Sequence, residues 1–280
     1  MQKKSREFAF TRRDFDFLRK VSNTRTGIVV SDDKFNMFYS RLSRRVRALG
    51  LKDFGEYCEL INNETEEQEI LELVNALTTN LTAFFRENHH FDYLTGTVVP
   101  ELLQRNRESR RIRIWSSGCS TGEEPYSLSI ALRESLPDAG GWDARIQATD
   151  IDSAVLSKAA AGVYPIERVA GIEQARLRRW FQRGKGANSG MVRLRPEIKR
   201  LIDFGQLNLI QEWAMSEPMD VIFCRNVIIY FDKKTKAKLI ERYANTLRDG
   251  GYLFIGHSES LFKLTDRFEL IGNTVYRKKT

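Results

Sequence analysis

Apolar residues in the first ninety positions recur at steps of three and four. In DKFNMFYSRLSRRVRALG, Phe35, Phe38, Leu42, Val46 and Leu49 share one helical face, and Gly50 is the stop signal. The preceding DFDFLRKVSNTRTG also reads as a helix, ending in a glycine suited to a C-terminal cap. A third pattern, EEQEILELVNALTTNLTAFFRENHHF, begins acidic, ends aromatic and basic, and reads as helical throughout. From about residue 110 the rhythm changes to short apolar runs, RIRIWS, RIQATD, LIDFGQLNL, DVIFCRN and GYLFIGH, separated by helical patterns such as EEPYSLSIALRESL. This alternation predicts an α/β sheet with right-handed crossovers. The tail FELIGNTVYRKK reads as two strands joined by a Gly-Asn turn, which closes the sheet with an antiparallel hairpin.

Residues 160–200 interrupt the alternation. WFQRGKGANSGMVRLRPEI is too long and glycine-rich for a simple crossover, and Gly184, Gly186 and Gly190 beside MVRLR predict a small antiparallel insertion. Its open edge would suit an extended peptide added as a strand; a structural flap is the other reading. The expected organisation is a helical domain over 1–88, an α/β domain over 89–280 and a β-subdomain inserted at 160–200.

Composition narrows the class. With 41% hydrophobic and 29% charged residues the chain is globular, and no apolar stretch approaches a membrane span or a signal peptide, so a cytoplasmic protein is expected. Cys58, Cys119 and Cys224 are far apart and predict neither a disulfide framework nor a metal site. Net charge is +8 but uneven: residues 1–52 hold fourteen Lys/Arg against five Asp/Glu, whereas residues 53–90 hold one against nine. Arg41, Arg44, Arg45 and Arg47 make the second helix basic on one face, so the first segment reads either as a docking surface for an acidic partner or as a set of solvated helix faces.

The chemistry gathers around WSSGCSTGEEPYSLSI. A strand leaving through Gly118-x-x-x-Gly122 into a helix is the usual place for a ligand in an open α/β sheet. The dinucleotide pattern G-x-G-x-x-G and the Walker lysine are both missing, and Glu123-Glu124 would repel a pyrophosphate. S-adenosylmethionine, cationic and free of phosphate, fits such a turn. Asp150 at the end of RIQATD is placed to accept from ribose hydroxyls, although Asp150 or Asp152 could instead cap the next helix. Asn208 falls near the adenine position, and Arg225, Asn226 and Tyr230 lie over the same edge. An arginine in an apolar strand needs a polar partner, so a structural ion pair is the alternative for Arg225.

NALTTNLTAFFRENHHF, WSSGCSTGEEPYSLSI, ATDID, IFCRNVIIYFDK and GGYLFIGHSESL, in that order, resemble the chemotaxis receptor glutamate methyltransferases, the CheR family. The resemblance runs from about residue 10 to the end. It implies S-adenosylmethionine-dependent O-methylation of glutamate side chains on the cytoplasmic domains of methyl-accepting chemotaxis receptors, with S-adenosylhomocysteine as product. It also implies a Rossmann-like methyltransferase sheet with an inserted β-subdomain, preceded by an all-helical domain. Cofactor contacts carried over by motif are Asn80, Thr82, Arg86, Glu124, Asp150, Asn208, Leu209, Arg225 and Asn226, and Arg86 and Tyr230 take catalytic or substrate-orienting parts. A receptor's C-terminal pentapeptide tether is the implied ligand of the insertion, around Gly184, Gly186, Gly190 and Arg193. Asn88 stands where the family often has Pro or Ala.

Methyl transfer to a carboxylate needs no strong base, which accords with the lack of a His/Asp or Cys/His constellation. His89 and His90, adjacent in sequence, are expected to pack or face solvent, with no metal. A nucleic-acid methyltransferase is disfavoured because RNVIIY replaces the Asn-Pro-Pro-Tyr type of motif and no aromatic-interleaved basic strip appears. A non-catalytic cofactor sensor would bind without turnover. Without coiled-coil heptads a monomer is expected. The receptors and glutamates chosen are not legible in the sequence.

Overall fold

The structure, a computed structural model, describes residues 6–63, 67–137, 141–213 and 215–280. It divides into two compact units, Met1–Thr79 with Tyr230–Asp232, and Asn80–Ile229 with Lys233–Thr280.

The helical unit holds α1 (Arg12–Thr26), α2 (Phe35–Ala48), α3 (Phe54–Asn62) and α4 (Glu67–Leu77). Thr11 starts α1 with a capping box: the Asp14 amide donates to its hydroxyl at 3.2 Å, and the Thr11 amide returns to the Asp14 carboxylate at 2.8 Å. Gly27, with φ 74°, ends the helix in the left-handed conformation expected of that glycine. Phe15, Leu18, Phe38, Leu42, Phe54, Tyr57 and Leu73 form the core. Tyr230–Asp232 join this unit through the Val29 amide, which donates to the Tyr230 carbonyl at 2.8 Å, and an antiparallel bridge between Ile28 and Phe231.

The third helical pattern breaks earlier than its periodicity suggests. Thr78 Oγ1 bonds back to the Asn75 carbonyl, and Arg41 Nη1 takes the Leu77 and Thr78 carbonyls at 2.8 and 2.7 Å, satisfying the helix end with a guanidinium. The chain then runs as a loop to His89, and the division between units falls after Thr79 rather than at residue 88. The physical reason lies in Phe84 and Phe85: the first is buried in the α/β core, and the amide of the second donates to Ser127 Oγ at 2.9 Å.

The α/β unit begins with α5 (His89–Tyr93), a single π-turn at Leu94–Val98 and α6 (Val99–Arg105). There follow β1 (Arg111–Ser117), α7 (Glu123–Ser135), β2 (Asp143–Asp150), α8 (Ser153–Ala161), β3 (Val163–Pro165), α9 (Gln174–Trp180), β4 (Phe181–Arg183), β5 (Met191–Leu194) and α10 (Pro196–Lys199). The chain closes with β6 (Ile202–Gln206), β7 (Met219–Cys224), α11 (Lys233–Thr246), β8 (Leu247–Ile255), β9 (Phe268–Gly272) and β10 (Val275–Lys278). The main sheet has the order β6-β2-β1-β7-β8-β10-β9, parallel from β6 to β8 and antiparallel where β10 lies between β8 and β9. Ile114 of β1 stands level with Ile146 of β2 and Val221 of β7, all wholly buried, as strands covered on both faces require. The chain leaves β1 towards β2 on one side and returns as β7 on the other, so the strand order reverses at β1 and opens a crevice at the carboxyl ends. At the opposite end, buried Asp220 accepts from Arg105, Asn106 and the Arg113 amide.

The expected insertion is present as a separate antiparallel sheet, β3-β5-β4, with the MVRL run as its central strand. Among the described residues no helix is long and apolar enough to cross a membrane.

Candidate functional site

β1 ends in Ser116-Ser117-Gly118, and the turn that follows is fixed by β2: the amides of Gly118 and Cys119 both donate to the Thr149 carbonyl, at 2.7 and 2.9 Å. Gly118 has φ 115°, a conformation that side chains rarely adopt, and a Cβ there would lie 2.4 Å from a methyl of Val227. Only glycine fits both that conformation and the close packing of Val227.

Asp150 and Asp152 divide the two roles that the sequence left open. Asp150 accepts from the Ser120 amide at 2.8 Å and the Asp152 amide at 3.0 Å, which pins the end of β2 to the β1 turn. Asp152 is the cap of α8, accepting from the amides of Ala154 and Val155. Burial pushes the Asp150 carboxyl above the ordinary aspartate range, against the pull of the two amides. Asn80 reaches the same corner, its Nδ2 donating to Asp152 Oδ2 at 2.8 Å and its carbonyl accepting from Ser120 Oγ at 3.1 Å.

The two glutamates at the start of α7 also part company. Both favour the positive end of the helix dipole. Glu123 is fully buried and structural: Arg168 donates to it through Nε at 3.1 Å, Thr121 Oγ1 at 2.6 Å, and Arg168 Nη2 also takes the Thr82 carbonyl at 2.8 Å. Arg168, which no motif pointed to, thus ties α7, the inserted subdomain and the loop from Asn80 into one node. Glu124 turns towards the crevice, accepting from Ser116 Oγ at 2.7 Å and from Arg225 Nη1 at 3.2 Å. Burial raises its pKa, opposed by Arg225 and Ser116.

Arg225 has the polar partners that burial demands. Besides Glu124 it bonds the Arg86 carbonyl, lies 3.4 Å from Glu87 and faces the Phe91 ring at 5.7 Å. These contacts set the loop that carries Arg86. Arg86 itself donates from Nη1 to the Leu81 carbonyl at 2.9 Å and belongs to the α/β unit, not to the helical one. Asn226 has φ 58°; its amide donates to Glu259 Oε2 at 2.9 Å, and its side chain lies 2.6 Å from where a Cβ on Gly256 would stand. Glu259, buried and also holding the amides of Gly256 and Ile229, is, after Arg168, a second residue shaping the site to which the motif reading gave no role. A glutamate four residues beyond the buried end of β8 carries no signal without its partners.

Asn208 and Leu209 follow β6, whose continuation at Leu207 donates to the Asp150 carbonyl at 2.9 Å. Asn208 Oδ1 accepts from the Ile210 amide, and the Leu209 carbonyl accepts from Trp213 and Arg242. Asn80, Thr82, Arg86, Glu124, Asp150, Asn208, Leu209, Arg225 and Asn226 thus all belong to the α/β unit, whereas Tyr230 groups with the helical unit.

The family model described as "CheR methyltransferase, SAM binding domain" matches residues 80–277, and "CheR methyltransferase, all-alpha domain" matches residues 13–78. The chain belongs to the CheR methyltransferase family. Among similar proteins, "Chemotaxis protein methyltransferase 2" of Pseudomonas aeruginosa is 45% identical over 275 residues, covering 97% of this chain and 95% of that one. The "Chemotaxis protein methyltransferase" of Escherichia coli is 44% identical over 254 residues, covering 90% and 86%. The family's own division, between residues 78 and 80, agrees with the structural one. The CheR catalytic domain is a binding domain for S-adenosylmethionine, and the site is chemically suited to it. Two desolvated carboxylates, Asp150 at the end of β2 and Glu124 in the first turn of α7, match hydroxyl donors and a positively charged ligand.

Proposed function

We propose that the protein methylates glutamate side chains on the cytoplasmic domains of methyl-accepting chemotaxis receptors, giving glutamyl methyl esters and S-adenosylhomocysteine. The observation that carries most weight is the placement of half-buried Asp150 at the end of β2 and half-buried Glu124 in the first turn of α7, in a chain whose relatives are chemotaxis methyltransferases. In this reading Asn80, Thr82, Glu124, Asp150, Asn208, Leu209, Arg225 and Asn226 hold the cofactor. Bound S-adenosylmethionine supplies a methyl group on a positively charged sulfur.

The protein's task is then alignment and desolvation rather than proton abstraction, since a glutamate with a pKa of about 4.3 is ionised near neutral pH. Arg86 steadies charge around the reacting centre, and the Tyr230 hydroxyl orients the substrate carboxylate. The exposed edges of the β3-β5-β4 sheet take a receptor's C-terminal pentapeptide as an added strand, beside Gly184, Gly186, Gly190 and Arg193, whose guanidinium donates to Gln182 at 3.1 Å. The enzyme works as a cytoplasmic monomer in this scheme.

The test is transfer of radiolabelled methyl from S-adenosylmethionine to membranes carrying chemotaxis receptors, followed by mild alkali. Label in receptor bands that leaves as methanol is expected. Calorimetric cofactor binding without label in any receptor would refute the reading in favour of a sensor or another acceptor. Full turnover in Arg86→Ala or Tyr230→Phe would remove the corresponding residue from the mechanism.

A further inference from the structure

The chain from Glu87 to His90 holds a polar conflict that methyl transfer does not use. His90 is wholly buried, and its Nε2 lies 3.0 Å from both the Asn273 carbonyl and Thr274 Oγ1. The Thr274 hydroxyl spends its own proton on that same carbonyl at 2.8 Å, so both neighbours of Nε2 are acceptors and the ring proton must sit on Nε2. Nδ1 is left as a bare lone pair without a hydrogen-bond partner. It faces Glu87 Oε2, itself buried and without a hydrogen-bond partner, across 3.5 Å. Two acceptors therefore point at each other inside the protein, an arrangement that costs free energy unless something positive lies between them.

Arg225 is the cation at hand, 3.4 Å from Oε2, but it forms no hydrogen bond with that oxygen and is engaged by Glu124 and the Arg86 carbonyl. His257 Nδ1 occupies the other carboxylate oxygen, Oε1, at 2.9 Å. The separation itself is informative. Zinc bonds to nitrogen and oxygen ligands at about 2.0–2.2 Å, so two ligands of a tetrahedral site stand roughly 3.4 Å apart. The observed 3.5 Å matches that edge and is longer than a hydrogen bond would draw it.

His89 supplies a third donor. Although it neighbours His90 in sequence, the two rings lie 4.2 Å apart at their centroids, and among the described residues Glu87, His89 and His90 bring ligand atoms within 4.8 Å of one another. Both histidines stand in the first turn of α5. Glu87 has φ 54° and Asn88 ends the loop, so the carboxylate approaches from outside the helix.

We propose that Glu87 Oε2, His90 Nδ1 and a ring nitrogen of His89 form a binding site for one divalent cation of the zinc class, with its remaining position open to solvent. Two imidazoles and a carboxylate are a donor set that such ions accept. The ion resolves the acceptor–acceptor contact and pins the loop in which Phe85 and Glu87 both hold positive φ. The site is independent of the identity of the methyl acceptor, although Glu87 also lies 3.4 Å from Arg225.

The test uses the whole protein, stripped with a chelator and dialysed. Zn²⁺ is titrated by calorimetry, and Co²⁺ serves as a spectroscopic probe for visible bands of a low-coordinate site with imidazole ligands. One saturable equivalent is expected, weakened at least about tenfold in His89→Ala and in Glu87→Gln. His89 is exposed, so His89→Ala keeps the fold, shown by an unchanged melting temperature without metal. Failure to bind one equivalent, or binding undiminished in both variants, would overturn the site.

Discussion

Removing the carboxylate of Glu259 tests how the loop after β7 is held. Oε2 accepts from the amides of Gly256 at 2.6 Å and Asn226 at 2.9 Å, and Oε1 from that of Ile229 at 3.2 Å, with the residue 6% exposed. In Glu259→Gln the oxygen can serve one side only, so an amide donor meets an amino group and the remaining bonds lose their charge, at a cost of about 2–3 kcal/mol. Glu259→Ala leaves three donors with only whatever water enters the gap, and about 4–5 kcal/mol is expected, in the range reserved for broken buried networks. At about 2–4 °C per kcal/mol for a chain of this order, the glutamine variant should melt roughly 4–12 °C lower. Because Asn226 is held through its amide, cofactor affinity should fall as well, raising KM for S-adenosylmethionine more than it lowers kcat. Urea unfolding followed by circular dichroism, with the slope checked for constancy, and cofactor calorimetry on the glutamine variant measure both effects. An alanine variant within about 0.5 kcal/mol of the parent, with unaltered cofactor affinity, would refute the reasoning.

Gly118→Ala should destabilise the protein by about 1–3 kcal/mol and weaken cofactor binding, since its φ is 115° and its new methyl meets Val227; calorimetry and thermal melting check it. Arg44→Glu should slow receptor methylation at low salt and leave cofactor affinity untouched, because Arg44 is the exposed arginine of α2 that pairs with no described residue, whereas Arg41 caps α4, Arg45 binds Glu69 and Arg47 binds Glu7. Native protein at pH 8 should react only slowly with a disulfide reagent and release three thiols once unfolded. Burial pushes Cys58 and Cys224 up to about 12 and Cys119 well above the ordinary thiol, so about one in ten thousand of the first two is thiolate at that pH.

The parts of the fold written in local period were legible. The Phe35-Phe38-Leu42-Val46 face, the five apolar runs and the terminal hairpin all became the elements they suggested. The third helical pattern was not, because Arg41, more than thirty residues upstream, closes α4 at Leu77, and no window around Leu77 contains it. The site divides in the same way. Asp150 could be placed at a strand end from RIQATD alone, but its distinction from Asp152 depends on which amides each meets. Glu123 and Glu124 are identical in sequence terms and opposite in role, one buried against Arg168 and the other turned to Arg225. The basic face of α2 was read as free charge, whereas three of its four arginines are engaged within their own unit by Thr78, Glu69 and Glu7. Pairings across long stretches of chain are the information that period and composition do not carry.

Arg168 sits on the inserted β-subdomain yet holds both Glu123 of α7 and the Thr82 carbonyl. One guanidinium is thus shared between the element proposed to grip a peptide and the loop whose Thr82 is proposed to hold the cofactor. Thermodynamic reciprocity applies to any such shared contact: whatever free energy a ligand on the insertion lends to the Thr82 loop, a ligand at that loop returns in equal amount to the insertion. A methyltransferase built this way need not choose between gripping a peptide and charging itself with cofactor, because the same ion pair would let each event prepare the other.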